Sequence, residues 1–379
     1  MQIRYGINPH QQARSTDDGP LRLRSGSPSY INVLDAVNAW QLVREARAAV
    51  GVPVATSFKH VSPAGAATAG PLDDAMRASW GLAAGREPGA LTSAYIRARD
   101  GDPKSSFGDM IAVSEPVDHE LADFLAGLVS DGIVAPGFAP GTVEKLAAKK
   151  RGAFVVFEVD ADFTPPEWER REVFGVTLEQ QVDRLPIERS LLRVATGGEP
   201  GEQVVADALL GMIVARFTQS NTVVYVKDGM TLGIGAGQQS RVDCTRLAGE
   251  KASVWWLRRA AAIRDLRLSG DVSRQDRFNW QMMLAQGDMT SLQRVALRAI
   301  APDAELSDDA RAAWVEQLSG VTVVHDGFIP FRDNIDFAAG YGASCVVEPG
   351  GSVRTPEVVA ACDELGITLI HTGTRLFHH

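Results

Sequence analysis

Val33, Val37, Trp40, Val43 and Val50 recur at helical spacing with alanines between them, which predicts an amphipathic helix that ends at Gly51-Val52-Pro53. The run Val54-Ala55-Thr56-Ser57-Phe58 is short, partly β-branched and bounded by turn formers, so it reads as a buried strand whose end delivers Lys59 and His60. Residues 61–67 then read as a turn of small side chains. The alternation continues, with helices predicted near 73–84, 117–129, 141–150 and 202–218 and strands near 110–114, 153–159, 222–227 and 230–235. Val321-Thr322-Val323-Val324 and Ser344-Cys345-Val346-Val347 are further strands. Thr355-Pro356-Glu357 opens a helix with an N-cap, Pro at N1 and an early acid, and that helix stops at Gly366 before a last strand over 367–371. Strands alternating with helices throughout predict an α/β protein.

Residues 184–202, rich in Gly, Pro and Glu, suit a linker, so the chain divides into a first domain, 1–195, and a second, 196–379. Residues 255–316 have helical patterning without strands and read as a helical insertion in the second. The halves are similar in size, so a duplication is open, although no fixed-period repeat is legible.

A chain of 379 residues, 45% apolar and 22% charged, is long enough for two domains and matches globular averages. No apolar run approaches the ~18 residues of a membrane span, and no export signal follows Met1, which places the protein in the cytoplasm without a membrane partner. The net charge of −9 and the lack of any basic block beyond Lys149-Lys150-Arg151 argue against nucleic acid as a partner. Three cysteines without a C-x-x-C argue against both disulfides and a zinc site.

Candidate chemistry is sparse. Gly233-Ile234-Gly235-Ala236-Gly237 lacks the third glycine spacing of a dinucleotide fingerprint, and no Walker A loop occurs, which leaves a glycine turn presenting amides to an anion. Lys59-His60 sits at a strand's carboxyl end, where open α/β sheets bind ligands, but from pattern alone it is either a catalytic pair or polar surface. Arg4-Tyr5-Gly6 and Arg375-Leu376-Phe377 are either frayed ends or arginine-based phosphate cradles.

Read in order, Arg4-Tyr5-Gly6-Ile7-Asn8-Pro9-His10-Gln11, Ser57-Phe58-Lys59-His60-Val61-Ser62-Pro63-Ala64-Gly65, Ser105-Ser106-Phe107-Gly108-Asp109 and Ser130-Asp131-Gly132-Ile133 resemble the AICAR transformylase family. Gln219-Ser220-Asn221, residues 233–241, Phe331-Arg332-Asp333-Asn334 and the final Arg375–His379 extend the resemblance over essentially the whole chain. This family is a region of bifunctional purine-biosynthesis proteins. The resemblance implies two cytidine-deaminase-like three-layer α/β/α domains and active sites shared across a homodimer. It also implies a one-carbon transferase in which 10-formyltetrahydrofolate formylates AICAR, with no zinc, because the deaminase signature is missing. The match begins at residue 4, so a stand-alone enzyme is expected, with a separate IMP cyclohydrolase in the pathway. A structural potassium ion is compatible with the family but leaves no short signature.

By the same resemblance, His60 is the base, Lys59 stabilises the formyl oxygen and Asn221 holds the amine or carboxamide. Arg4, Tyr5, Gly108 and Arg375 cradle phosphate and ribose, with Asp131, Arg241, Phe328 and Asp333 around the nucleotide and folate. Adjacent side chains on a strand point to opposite faces, so Lys59 and His60 require an irregularity after Phe58. Gly327 and Ile329 depart from the family's usual folate-wall sequence. Two other readings stand beside this one: a catalytically silent AICAR-binding regulatory subunit, and a formyltransferase using formate and ATP.

Overall fold

In the computed structural model, which describes residues 1–83 and 85–379, the chain opens on strand β1 (Leu21–Ser25) and helix α1 (Tyr30–Val50). Ser29 and Asn32 cap α1 reciprocally. The Ser29 hydroxyl accepts from the Asn32 amide, and Asn32 Oδ1 accepts from the Ser29 amide at 2.9 Å. Gly51, left-handed at φ 74°, ends the helix. Strands β2 (Val54–Lys59) and β3 (Ser62–Thr68) then form a hairpin closed by His60 and Val61 alone. Residues 61–67 are therefore mostly strand, not turn. They are small because helix packing demands it: a Cβ on Gly65 would stand 2.1 Å from the carbonyl oxygen of Ala98.

The first half continues with α2 (Asp74–Trp80), α3 (Ala90–Gly101), β4 (Asp109–Val113), α4 (His119–Ala126), β5 (Ser130–Ala135), α5 (Thr142–Ala147) and β6 (Val155–Val159). The helix predicted near 73–84 is α2, and position 84 lies outside the described residues. A separate two-stranded ribbon, β7 (Trp168–Val173) and β8 (Val176–Gln181), follows. Within the stretch read as a linker lies β9 (Arg193–Thr196), which pairs with the last strand of the chain.

The second half runs α6 (Glu202–Arg216), β10 (Val223–Lys227), β11 (Met230–Gly235) and α7 (Arg241–Leu257). Next come α8 (Ala261–Arg264), α9 (Arg274–Gln286), α10 (Ser291–Ile300) and α11 (Asp308–Val315), around a small core of their own that includes Ile263, Leu284 and Leu297. The chain closes with β12 (Val321–His325), α12 (Asp333–Gly340), β13 (Ala343–Glu348), α13 (Thr355–Leu365) and β14 (Thr368–His371). Thr355 is the first helical residue of α13 and not its cap; Arg354 occupies the cap position without a side-chain bond to the helix.

Twelve strands form one mixed sheet in the order β1-β6-β5-β4-β2-β3-β11-β10-β12-β13-β14-β9. The second half, read inward from its edge as β9-β14-β13-β12-β10-β11, repeats the connectivity of the first, with α6 in the place of α1 and α7 in that of α3. The halves join where β3 meets β11: Ala67 pairs with Met230, and the Ala66 amide donates to Thr231 Oγ1 at 3.0 Å. Apolar side chains of α1 and α6 share one core cluster against one sheet face. Helices α3, α4, α7, α12 and α13 pack on the other. No helix among the described residues is long and apolar enough to cross a membrane.

Candidate active site

The antiparallel pairing of β2 with β4 puts the β2–β3 tip at the same sheet edge as the starts of β4 and β5. There the N-terminal segment crosses the sheet, held by the Arg4 amide on Pro28 O at 2.9 Å and the Tyr30 amide on Tyr5 O at 3.0 Å. A cleft of about 340 Å³ opens between these pieces, lined by Arg4, Tyr5, Ser29, Asp35, Lys59, His60, Gly108, Asp131 and Lys150. That volume is within the range of small-ligand sites.

Lys59 and His60 both line it because the hairpin is irregular where the chemistry needs it. The β2–β3 register shifts between Ser57 and Phe58, and His60 and Val61 turn left-handed at φ 55° and 59°. Lys59 Nζ donates to Phe107 O at 2.6 Å and Gly108 O at 3.2 Å, leaving one N–H. Gly108 is left-handed at φ 73°, and a Cβ there would sit 3.2 Å from Lys59 Nζ, so glycine serves both the turn and the close approach. Arg4 donates to the Tyr5 hydroxyl at 3.0 Å, and Lys150 pairs with Asp131. Beneath the cleft Asp109 is fully buried and accepts from Ser57 Oγ at 2.7 Å, Tyr95 at 3.0 Å and Arg99 at 3.0 Å. Burial pushes its carboxyl up, against the pull of the Arg99 guanidinium.

A second group gathers at the start of β10. Asn221 donates to Gln238 O at 2.9 Å and Gln239 O at 3.0 Å, and its Oδ1 accepts from Arg241 at 2.8 Å. Arg241 also pairs with the buried Asp326 at 2.5 Å. Phe328 is exposed, Asp333 begins α12, and the exposed Arg375 lies over the Phe377 ring at 4.5 Å. None of these lines the cleft. By strand order the β10 start shares the sheet edge of the β2–β3 tip but stands three strands away, about 14 Å at ordinary strand spacing. The fold thus gathers Arg4, Tyr5, Lys59, His60, Gly108 and Asp131 in the cleft and joins Asn221 to Arg241. It also brings the segments carrying Phe328 and Arg375 against that second group, with the Leu376 amide on Asp326 O at 2.8 Å and the Ser220 amide on His378 O at 3.0 Å, and leaves Asp333 at the start of α12.

Two charged cleft residues, Lys150 and Asp35, escaped the sequence reading, as did the helix-capping Ser29. Lys150 belongs to the chain's one basic block, whose neighbour Lys149 is buried and spent on Leu128 O at 3.0 Å and Ser130 Oγ at 3.1 Å. Asp35 lies about half a turn round α1 from Val33 and Val37, on the buried face with Ala39, Leu42 and Ala46, and an acid in helical register with those three was the available signal. The glycine run does not present free amides to an anion: Gly237 turns at φ 68°, but its amide donates to Gln219 O at 2.8 Å and Asn221 O at 3.0 Å. Gly233 and Gly235 are strand residues beneath α7, where Cβ atoms would stand 2.1 Å from Ala248 O and 2.2 Å from Cys244 O. Among the described residues no three His, Cys, Asp or Glu side chains form a metal-binding group.

Residues 1–251 match the family model described as AICARFT/IMPCHase bienzyme. The whole chain is 32% identical over 385 aligned positions to the bifunctional purine biosynthesis protein PurH of Roseobacter denitrificans, and 31% identical over 387 to that of Cereibacter sphaeroides. It spans 59% of the length of each of these relatives.

Proposed function

The chain belongs to the AICARFT/IMPCHase bienzyme family, and from that membership we propose that it is a formyltransferase of purine biosynthesis acting on AICAR with 10-formyltetrahydrofolate. The observation that carries this reading is the convergence of Arg4, Tyr5, Lys59, His60, Gly108 and Asp131, from four separate segments, on one cleft.

AICAR's 5-amine is a weak nucleophile because its lone pair is delocalised into the ring. Its nitrogen bonds to the formyl carbon as the bond from that carbon to N10 of the folate breaks, giving FAICAR and tetrahydrofolate. His60 takes the amine proton and returns it to N10, and the free N–H of Lys59 faces the oxygen that gains charge. Arg4, Tyr5, Gly108 and Arg375 serve phosphate and ribose; Asn221 fixes the amine or carboxamide. Asp131, Arg241, Phe328 and Asp333 serve the remaining nucleotide and folate contacts.

We read the two halves as cytidine-deaminase-like domains, a reading supported by their matching strand order; because β9 (Arg193–Thr196) pairs with β14, the division falls just ahead of β9 and not at 195/196. A homodimer brings the Asn221–Arg241 group of one copy toward the cleft of the other. Its support is the β7–β8 ribbon, every residue of which is exposed, including Trp168, Val173, Val176 and Leu178. An isolated two-stranded ribbon is marginal in water, so a second copy covering it explains its persistence.

The test is tetrahydrofolate release on mixing the protein with AICAR and 10-formyltetrahydrofolate, without ATP, at several protein concentrations. Turnover whose specific rate rises with concentration is expected. A folded protein that binds AICAR without turnover would instead be a silent nucleotide-binding subunit.

A further inference from the structure

The two hairpins that close the matching halves are built alike and loaded differently. In the second half the strands pair to Lys227 and Met230 across a two-residue turn, Asp228 at φ 52° and Gly229 at φ 76°. Asp-Gly is a favoured sequence for such a doubly left-handed turn. In the first half Lys59 pairs with Ser62 across His60 and Val61, in the same doubly left-handed conformation. A β-branched valine is among the residues least suited to it, so this tip is strained. Strain of this kind persists only where neighbouring groups over-determine it.

The over-determining group is a carboxylate from the helix behind the tip. Asp35, the sixth residue of α1, accepts from the Val61 amide through Oδ1 at 2.6 Å. Asp207, the sixth residue of α6, accepts from the Gly229 amide at 2.6 Å and the Asp228 amide at 3.0 Å. Burial pushes both carboxyls up to about 6. Their surroundings differ. Asp207 uses both oxygens, takes a third bond from Gln203 at 3.0 Å, and its tip is closed over by Arg97, which donates to Asp228 O and, at 2.7 Å, to Thr68 O. Asp35 Oδ2 has no partner among the described residues, is not a buried orphan, and opens to the cleft that Asp35 helps to line.

We propose that Asp35 is a positioning residue: by holding the Val61 amide it locks the left-handed tip that lets two sequence neighbours, Lys59 and His60, act on one cleft. The kinetic part rests on the formyl-transfer reading; the strap itself does not. Asp207 supplies the internal control, because it does the same structural work at a tip without catalytic side chains.

The experiment compares Asp35→Ala, Asp35→Asn, Asp207→Ala and the wild type in the full chain, by steady-state kinetics and by hydrogen exchange at the Val61 amide. A misplacement of about 1 Å costs roughly 10²-fold in rate, so Asp35→Ala is expected to lose about that in kcat while KM for AICAR moves less than about threefold. Asparagine keeps an acceptor for the Val61 amide and should restore kcat to within about fivefold of the wild type, since the lock is a hydrogen bond and not a charge. Asp207→Ala should leave kcat per folded molecule unchanged. Val61 exchange should accelerate in Asp35→Ala and in neither Asp35→Asn nor Asp207→Ala. Asp35→Ser, too short to reach Val61, replaces the alanine variant if that one does not fold.

Unchanged kcat in a folded Asp35→Ala or Asp35→Ser protein overturns the proposal. Equal losses per folded molecule in Asp35→Ala and Asp207→Ala do the same, as does failure of asparagine to rescue. A wild type without turnover, whose Val61 exchange still responds to Asp35→Ala, would refute the formyl-transfer reading and leave the strap standing.

Discussion

Replacing Lys59 by methionine keeps most of the side-chain stem and removes the ammonium, which separates two jobs that the lysine does at once. Two of its three N–H groups tie down the 107–108 loop through Phe107 O at 2.6 Å and Gly108 O at 3.2 Å. Only the third is free for a reacting oxygen. Hydrogen bonds to a charged donor are worth about 1.5–3 kcal/mol each when buried. Lys59 is partly exposed and water can replace it at the loop, so the variant should lose no more than about 2 kcal/mol of stability and remain folded. Loss of one preorganised donor to a developing oxyanion costs roughly 10²–10³-fold in kcat, about 2.7–4 kcal/mol. Tetrahydrofolate formation at saturating AICAR and folate, beside a urea titration on the same sample, reads both quantities. A kcat within about threefold of the wild type in a folded protein would reduce Lys59 to a loop tether. A fall in rate that tracks the folded fraction would do the same.

Three further outcomes follow from particular contacts. Gly233→Ala puts a methyl 2.1 Å from the Ala248 carbonyl oxygen and 2.8 Å from the Ala252 nitrogen, backbone atoms that cannot step aside without moving α7. A destabilisation of about 1–3 kcal/mol or more is expected by urea titration, and unchanged stability would refute the close approach of α7 to β11. Asp207 holds its proton up to about pH 6 when folded, above the ordinary carboxylate value, so the folded state binds the extra proton and stability falls as pH rises from about 4 to 6. The ionisation penalty, absent below that window and complete above it, is roughly 3 kcal/mol. Asp207→Asn should flatten the stability profile by that amount, and parallel profiles would refute the shift. Arg375→Ala should weaken AICAR binding by calorimetry while leaving the melting temperature within a degree or two, because the guanidinium is exposed and packs over a Phe377 ring that is itself exposed; unchanged affinity would remove it from the phosphate cradle.

The elements legible in the sequence are those whose burial is one-sided or continuous. Helix α1 announces itself by its apolar stripe, and β2, β10 and β12 by β-branched runs buried at nearly every position. Strand β3 was hidden because close contact with α3 replaces its expected large apolar residues by Ala and Gly, and small residues read as turn. Strand β9 offers only Val194 and Ala195 as apolar signal and exists because β14 supplies a partner. The ribbon β7–β8 carries four consecutive charged residues, Glu169 to Glu172, in its first strand, and neither strand has a buried face to give it periodicity. Site residues divide in the same way. Lys59, His60, Gly108 and Asp131 stand at strand ends, where position alone draws attention, whereas Asp35 is interior to a helix and its role depends on a hairpin that folds back over it.

Repetition of the connectivity gives the sheet two equivalent edges, and the residues decide which one does chemistry. Because β3 and β11 pair antiparallel, the two hairpin tips emerge at opposite edges, and each edge also receives the strand starts of the other half. At the edge of Lys59 and His60, the position two residues before β10 is Asn221, bonded to Arg241. At the opposite edge the position two residues before β2 is Val52, followed by Pro53, and the tip itself is sealed by Arg97. The same fold therefore holds one open polar edge and one closed edge, with a buried carboxylate behind the tip at each. What separates them is a handful of side chains at strand ends: an open carboxylate oxygen, a lysine with one unused N–H, and a turn built from His-Val where Asp-Gly would be easier. Function follows from those substitutions on a repeated frame, not from the frame.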